Sequence, residues 1–136
     1  MKLLIFFVDK FIYETNHKSL DFVEEVSLQN EIANAVIGFI HVEQKDEENS
    51  SDVETKLVKN LKWAARKNDT NKIVLHSFNH LSESKASPMF TLDLFNRVEQ
   101  RLNNSDYQTL QTPFGYFLNI EMKAPGTPLA RLFKEF

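Results

Sequence analysis

The sequence predicts a single α/β domain, and three observations carry that prediction. Apolar runs of strand length alternate with two stretches of helical periodicity, in the order strands, helix, strand, helix, strands. No linker, repeat or low-complexity tract divides residues 1–136. A length of 136 residues with 42% hydrophobic side chains suffices for one real core.

Leu3 to Val8 is a short continuous apolar run, suited to a strand buried on both faces. Asp9-Lys10 then predicts a hairpin that returns through Phe11-Ile12-Tyr13. Residues 35–43 make a second strong strand, and the acidic stretch from Gln44 to Ser51 reads as a solvated loop. Ser51-Asp52-Val53-Glu54 matches a capping box, in which Ser and Glu satisfy each other's free backbone N–H groups. Val53, Leu57, Leu61 and Ala64 or Ala65 follow at helical spacing and give one apolar face, which Asn68 to Asn71 ends. Lys72 to Leu75 is a strand leading into His76-Ser77-Phe78-Asn79-His80. A second helix starts near Ser87-Pro88, where proline suits the first turn because its missing N–H is not needed there. Phe90, Leu94, Val98 and Leu102 form its buried stripe, and Asn103 to Asp106 stops it. Residues 107–111 and 114–122 are closing strands, with Pro113 and Gly115 bending the chain between them.

Composition narrows the function classes. Phenylalanine is abundant, with 12 copies beside one Trp and three Tyr, and predicts a core lined with large rings. The net charge of −3 argues against a protein that grips a long duplex through a global basic field, though local clusters remain open. Without cysteine, disulfides and thiolate chemistry are excluded. The opening Met1 to Val8 lacks a small-residue cleavage site, and no stretch approaches the roughly 20 apolar residues of a membrane span. A cytoplasmic protein without membrane contact is the expectation.

Four histidines are the main candidates for chemistry. His17 in a polar segment and His41 on a strand read as structural or exposed. His76 and His80 flank a strand end without a third ligand of suitable spacing, so no metal and no other cofactor is expected. His80 stands out because it follows a buried strand and leads toward a helix, a common ligand position in α/β folds. Three glycines build no phosphate loop, dinucleotide fingerprint or nucleophile elbow.

Several segments nevertheless occur in a specific order. They are Leu3-Leu4-Ile5 with Asp9, Tyr13 and Glu14, then Phe39-Ile40 with Val42-Glu43. His80-Leu81-Ser82, Ala86 with Pro88, and Asp93 with Asn96-Arg97-Val98 come next, before Pro113-Phe114-Gly115-Tyr116 and Pro128-Leu129-Ala130. In that order the chain resembles the N-terminal editing domain of archaeal-type threonyl-tRNA synthetase, a relative of the D-aminoacyl-tRNA deacylases. The resemblance implies one three-layer domain over residues 1–136, with mixed β-sheets and two main helices. It implies hydrolysis of the ester that wrongly links serine to threonine tRNA.

Carried over by position, His80 would be the catalytic residue that orients substrate and water. Val42, Ser77, Asn79, Phe114, Gly115, Phe117, Leu118 and Arg131 would contact substrate. The resemblance further implies the aminoacyl 3′ end of tRNA as partner, a homodimer, and a synthetase body beyond residue 136. The departures are concrete. Phe117-Leu118 stand where the family has Tyr-Lys, Thr127 and Arg131 where it has His and Glu, and Phe7 where His is common. Losing the Lys and the Glu together points to a charge pair dismantled as a unit, while Arg131 could instead reach a tRNA phosphate. Two other readings follow from these changes: a catalytically degenerate paralogue that binds tRNA or dimerises, and a deacylase for D-aminoacyl-tRNA.

Overall fold

The computed structural model describes residues 1–136. Its strands are β1 (Lys2–Lys18), β2 (Gln29–His41), β3 (Lys72–Ser77), β4 (Gln108–Gln111), β5 (Tyr116–Lys123) and β6 (Arg131–Glu135). Helix α1 (Ser50–Lys67) joins β2 to β3, and α2 (Pro88–Asn103) joins β3 to β4. All six strands form one mixed sheet in the order β4-β3-β2-β1-β5, with β6 pairing the first half of β1. The β2–β3 and β3–β4 pairs are parallel, as helical crossovers require, and β1 pairs its neighbours antiparallel.

The hairpin predicted at Asp9-Lys10 does not form. β1 runs straight through it, because its partner is β2 in an unbroken register from Lys2↔His41 to Glu14↔Gln29. What changes at Asp9 is side-chain parity. Leu4, Phe6 and Val8 share a cluster with Phe11 and Tyr13, so the alternation slips by one residue between Val8 and Phe11. Opposite Asp9, Asn34 adopts φ of +54, a left-handed conformation that asparagine tolerates better than most residues. The sheet curls there, and both of its faces acquire a core.

One face packs on the helices through Leu3, Ile5, Val36, Ile40 and Leu75 against Val53, Leu57, Leu61, Leu94, Phe95, Val98 and Leu102. Inside the curl, Val8, Phe11, Tyr13, Ile37, Phe39 and Val74 make a second cluster, with Leu118 and Met122 packed on it. The helices thus cover one face of a single sheet, and the curl of that same sheet covers the other. Eight of the twelve phenylalanines lie in or against these clusters, whereas Phe22, Phe114, Phe117 and Phe133 do not.

Two local expectations fail for identifiable reasons. The stretch after Glu43 is a 3₁₀ turn (Gln44–Glu48), and its Asp46 is buried against the Met1 ammonium at 3.0 Å. The Ser51–Glu54 capping box is not used, since α1 starts at Ser50 after Asn49. Glu54 instead bonds Arg97 and Arg101 of α2 at 2.6 and 2.9 Å, tying the two helices together. At α2 the sequence reading holds: Ser87 caps it by accepting from Phe90 N, with Pro88 in the first turn.

Candidate functional site

Parallel strands end where ligands bind in α/β sheets, and the main cleft lies at that edge of this sheet. It encloses about 680 Å³ at the C-terminal end of β3, between the 78–87 loop, the start of α2 and the 112–118 turn. Seven of the nine residues carried over from the sequence line it: Ser77, Asn79, His80, Phe114, Gly115, Phe117 and Leu118. Two lie elsewhere. Val42 is buried in the helix-facing core, reaching the site only through its carbonyl, which accepts from Ala86 N at 3.0 Å. Arg131 is exposed on β6 opposite Phe6, whereas Leu118 pairs Thr15 nine residues further along β1. Positions 118 and 131 are therefore not neighbours within the chain, which removes the ground for reading their two changes as one lost ion pair.

The 78–87 loop is held from below. His41 accepts from Leu81 N at Nδ1 (3.0 Å), so its proton sits on Nε2 and is donated to the Ser84 carbonyl at 2.7 Å. Ser82 donates to Glu43 at 2.8 Å, and Glu43 in turn bonds the Met1 ammonium at 2.7 Å. Burial would raise the Glu43 carboxyl. The Met1 ammonium, the Ser82 hydroxyl and Lys2 outweigh it and hold its pKa at about 2. His80 itself is exposed, its ring edge-to-face on Phe78 at 4.9 Å. The backbone N–H groups of Asn79 and His80 donate to no acceptor in the chain.

The opposite wall depends on a glycine. Gly115 has φ of +82, and a Cβ there would lie 2.6 Å from Val23 Cγ1. Its carbonyl accepts from Ser19 N and Leu20 N, and Tyr116 Oη bridges Val26 N (2.8 Å) and the Glu24 carbonyl (2.5 Å). The turn is thereby pinned to the segment after β1.

Sequence reasoning missed the cleft floor. His76 is buried, its Nδ1 lies 2.9 Å from Thr112 Oγ1, and its ring meets Phe39 edge-to-face at 5.1 Å. Burial pushes its pKa down to about 4, so the floor is a neutral imidazole. The available signal was its place directly after the apolar run Ile73-Val74-Leu75 of β3, on the strand that ends in the cleft. Lys85 also lines the cleft, and no carboxylate does. No group of three or more His, Asp or Glu side chains is placed to hold a metal.

A curled mixed sheet backed by two helices, with a cleft at the end of β3, defines a D-aminoacyl-tRNA deacylase-like fold. A solved structure of a c-Myc DNA unwinding element binding protein superposes with a TM-score of 0.68, covering 100% of this chain and 99% of that one. At 12% identity that likeness speaks for the fold alone. The family model for the archaea-specific editing domain of threonyl-tRNA synthetase matches residues 1–136, and the chain belongs to that family. Among its relatives are the threonine–tRNA ligases of Thermococcus sibiricus and Thermococcus kodakarensis. They are 31% and 30% identical over 97% of this chain, and the match covers 22% of each relative. That of Methanocaldococcus jannaschii is 27% identical over 99% of the chain. The chain thus spans about a fifth of the length of these curated relatives.

Proposed function

We propose that residues 1–136 form an editing domain that hydrolyses mischarged aminoacyl-tRNA, with seryl-tRNA for threonine as its substrate. The observation that carries this reading is the make-up of the cleft: no carboxylate, one exposed histidine at the mouth, one lysine, and free backbone N–H groups at Asn79 and His80. Such a lining suits an anionic RNA end. It leaves polarisation of the ester carbonyl to main-chain donors, and it leaves activation of water to His80 and the terminal ribose hydroxyl. Water adds to the carbonyl carbon, the bond to the ribose oxygen breaks, and that oxygen takes up a proton. A synthetic site for threonine cannot strongly reject serine, because one missing methyl is worth about 1–3 kcal/mol, and a second cleft supplies the remaining discrimination. The domain works beside a synthetase body and as a homodimer, for which the open edge of β5 and exposed Phe117 and Ile120 offer surface.

Leu118 favours a second reading. It packs on the core inside the curl at a position where the family carries lysine, as a degenerate binding module would allow. Release of serine from Ser-tRNA(Thr) separates the readings, measured beside a panel of D-aminoacylated tRNAs with wild type, His80→Ala and Leu118→Lys. An active wild type that loses turnover in His80→Ala supports editing. Intact ester alongside an active related domain refutes it, and a gain in Leu118→Lys identifies what the cleft has lost.

A further inference from the structure

The chain has sixteen Lys and Arg residues, and seven of them lie within 4.0 Å of a carboxylate: Lys2, Lys10, Lys18, Lys45, Lys56, Arg97 and Arg101. Of the nine without such a partner, five lie on or beside the second half of α1, Lys62 among them donating to Ser105 Oγ at 3.0 Å. Lys59, Lys62, Arg66 and Lys134 line a concavity of about 490 Å³ that contains Trp63 and no carboxylate. Lys67 Nζ and Lys134 Nζ lie 5.8 and 5.9 Å from the Trp63 ring centre. Positions 59, 62, 63 and 66 recur at helical spacing, so one face of α1 carries them, and β6 adds Lys134 from beside it. The patch is separate from the cleft. The last turns of α1 lead into the start of β3, and the cleft opens at the other end of that strand.

The helix dipole accounts for Arg66 and Lys67 in the last turn, but not for Lys59, Lys62 or Lys134. Like charges crowded on one helix face repel, and in a chain of net charge −3 this cluster runs against the overall balance. An anion laid along it removes the repulsion. Lys59 to Arg66 spans roughly 10 Å of helix, about three successive phosphates of one strand. Arg66 offers a fork suited to phosphate and Trp63 a flat face beside it. We infer that this face of α1 docks the phosphate backbone of a double-stranded RNA segment, without reading its sequence. The inference stands independently of chemistry in the cleft.

Trp63 is the one tryptophan and reports directly on its own surroundings. A short RNA hairpin with a single-stranded 3′ tail that carries no amino acid is titrated into the full chain, following Trp63 fluorescence and the affinity over a range of salt. Docking predicts quenching, and a fall of log K with log salt of slope about −3 for about three phosphates. Lys59→Glu/Arg66→Glu should weaken binding at least tenfold and flatten the slope by about two. Lys10→Glu/Lys123→Glu, an equal change of charge on β1 and β5, should leave affinity within about threefold. Release of serine from Ser-tRNA(Thr) is measured in parallel on wild type, so failure of editing and failure of docking are told apart. Urea melts confirm that each variant is folded. The inference is overturned if the α1 variant binds like wild type, if the control weakens equally, or if RNA leaves Trp63 unchanged. It is likewise overturned if polyglutamate occupies the patch and RNA does not, which would make the partner an acidic protein.

Discussion

Acid should weaken this fold through His76 before it acts through the depressed carboxylate of Glu43. The buried imidazole has a pKa of about 4, against about 6.5 when the chain is unfolded. Between those values the unfolded chain binds a proton that the folded chain refuses, so each pH unit lost costs about 1.4 kcal/mol. His76 therefore leaves stability intact above about pH 6.5 and removes about 3 kcal/mol as the pH falls toward 4. Glu43 acts in a lower window, from its ordinary range down to about 2, and does not mask the effect. Urea unfolding followed by Trp63 fluorescence, at steps between about pH 7 and 4, measures it. His76→Phe supplies the comparison, because a phenyl ring suits the neighbouring Phe39 and Phe78. It leaves Thr112 without its imidazole partner, costing about 1–2 kcal/mol at neutral pH, while the dependence on acid flattens. A variant that keeps the wild-type slope between pH 6.5 and 4 would refute the assignment.

Three other substitutions test the scaffold. Gly115→Ala places a Cβ 2.6 Å from Val23 Cγ1 at φ of +82, and should cost about 2–3 kcal/mol in urea melts while releasing the 112–118 turn. Glu43→Gln removes one of two carboxylates from the fully buried Met1 ammonium, with an expected loss of about 2–4 kcal/mol at pH 7. The same variant should be less sensitive than wild type to acid as the pH falls from about 4.5 toward 2, since the depressed Glu43 pKa contributes stability only above that window. Ser87→Ala deletes the α2 cap and should lower stability by about 1 kcal/mol, read as a shift of the urea midpoint with unchanged slope.

Where one physical signal dominates locally, the sequence was legible. Period-3.6 stripes found both helices, and the Ser87-Pro88 start of α2 is correct to the residue because cap and proline act within one turn. β6 escaped detection because Arg131–Glu135 is mostly exposed and is a strand only by pairing with Lys2 to Phe6, a contact across nearly the whole chain. The hairpin at Asp9 failed for a related reason: a polar pair within an apolar run looks like a turn, and only pairing with β2 reveals a kink. Position along the chain, read through the family's motif order, brought seven site residues into one cleft. It could not reveal that Arg131 faces away or that His76 forms the floor, since both follow from register and curl.

His80 shows how an exposed side chain can still be placed with care. It makes no side-chain hydrogen bond of its own, so its position must come from its neighbours. An aromatic series runs out to it from the core inside the curl, with Phe6 on Phe39 at 5.8 Å, Phe39 on Phe78 at 5.3 Å and Phe78 on His80 at 4.9 Å. Its loop is fastened by His41, Val42 and Glu43 through Leu81, Ser84, Ala86 and Ser82. His41 ends β2 and the other two follow it directly, and none of the three lines the cleft. The contribution of Val42 is thus made by its carbonyl, and that of His41 by a fixed tautomer. In a cleft without carboxylates, exposed backbone N–H groups are useful only if the loop carrying them is rigid. The buried polar row beneath the loop supplies that rigidity, and so the shape of the cleft depends on residues that do not line it.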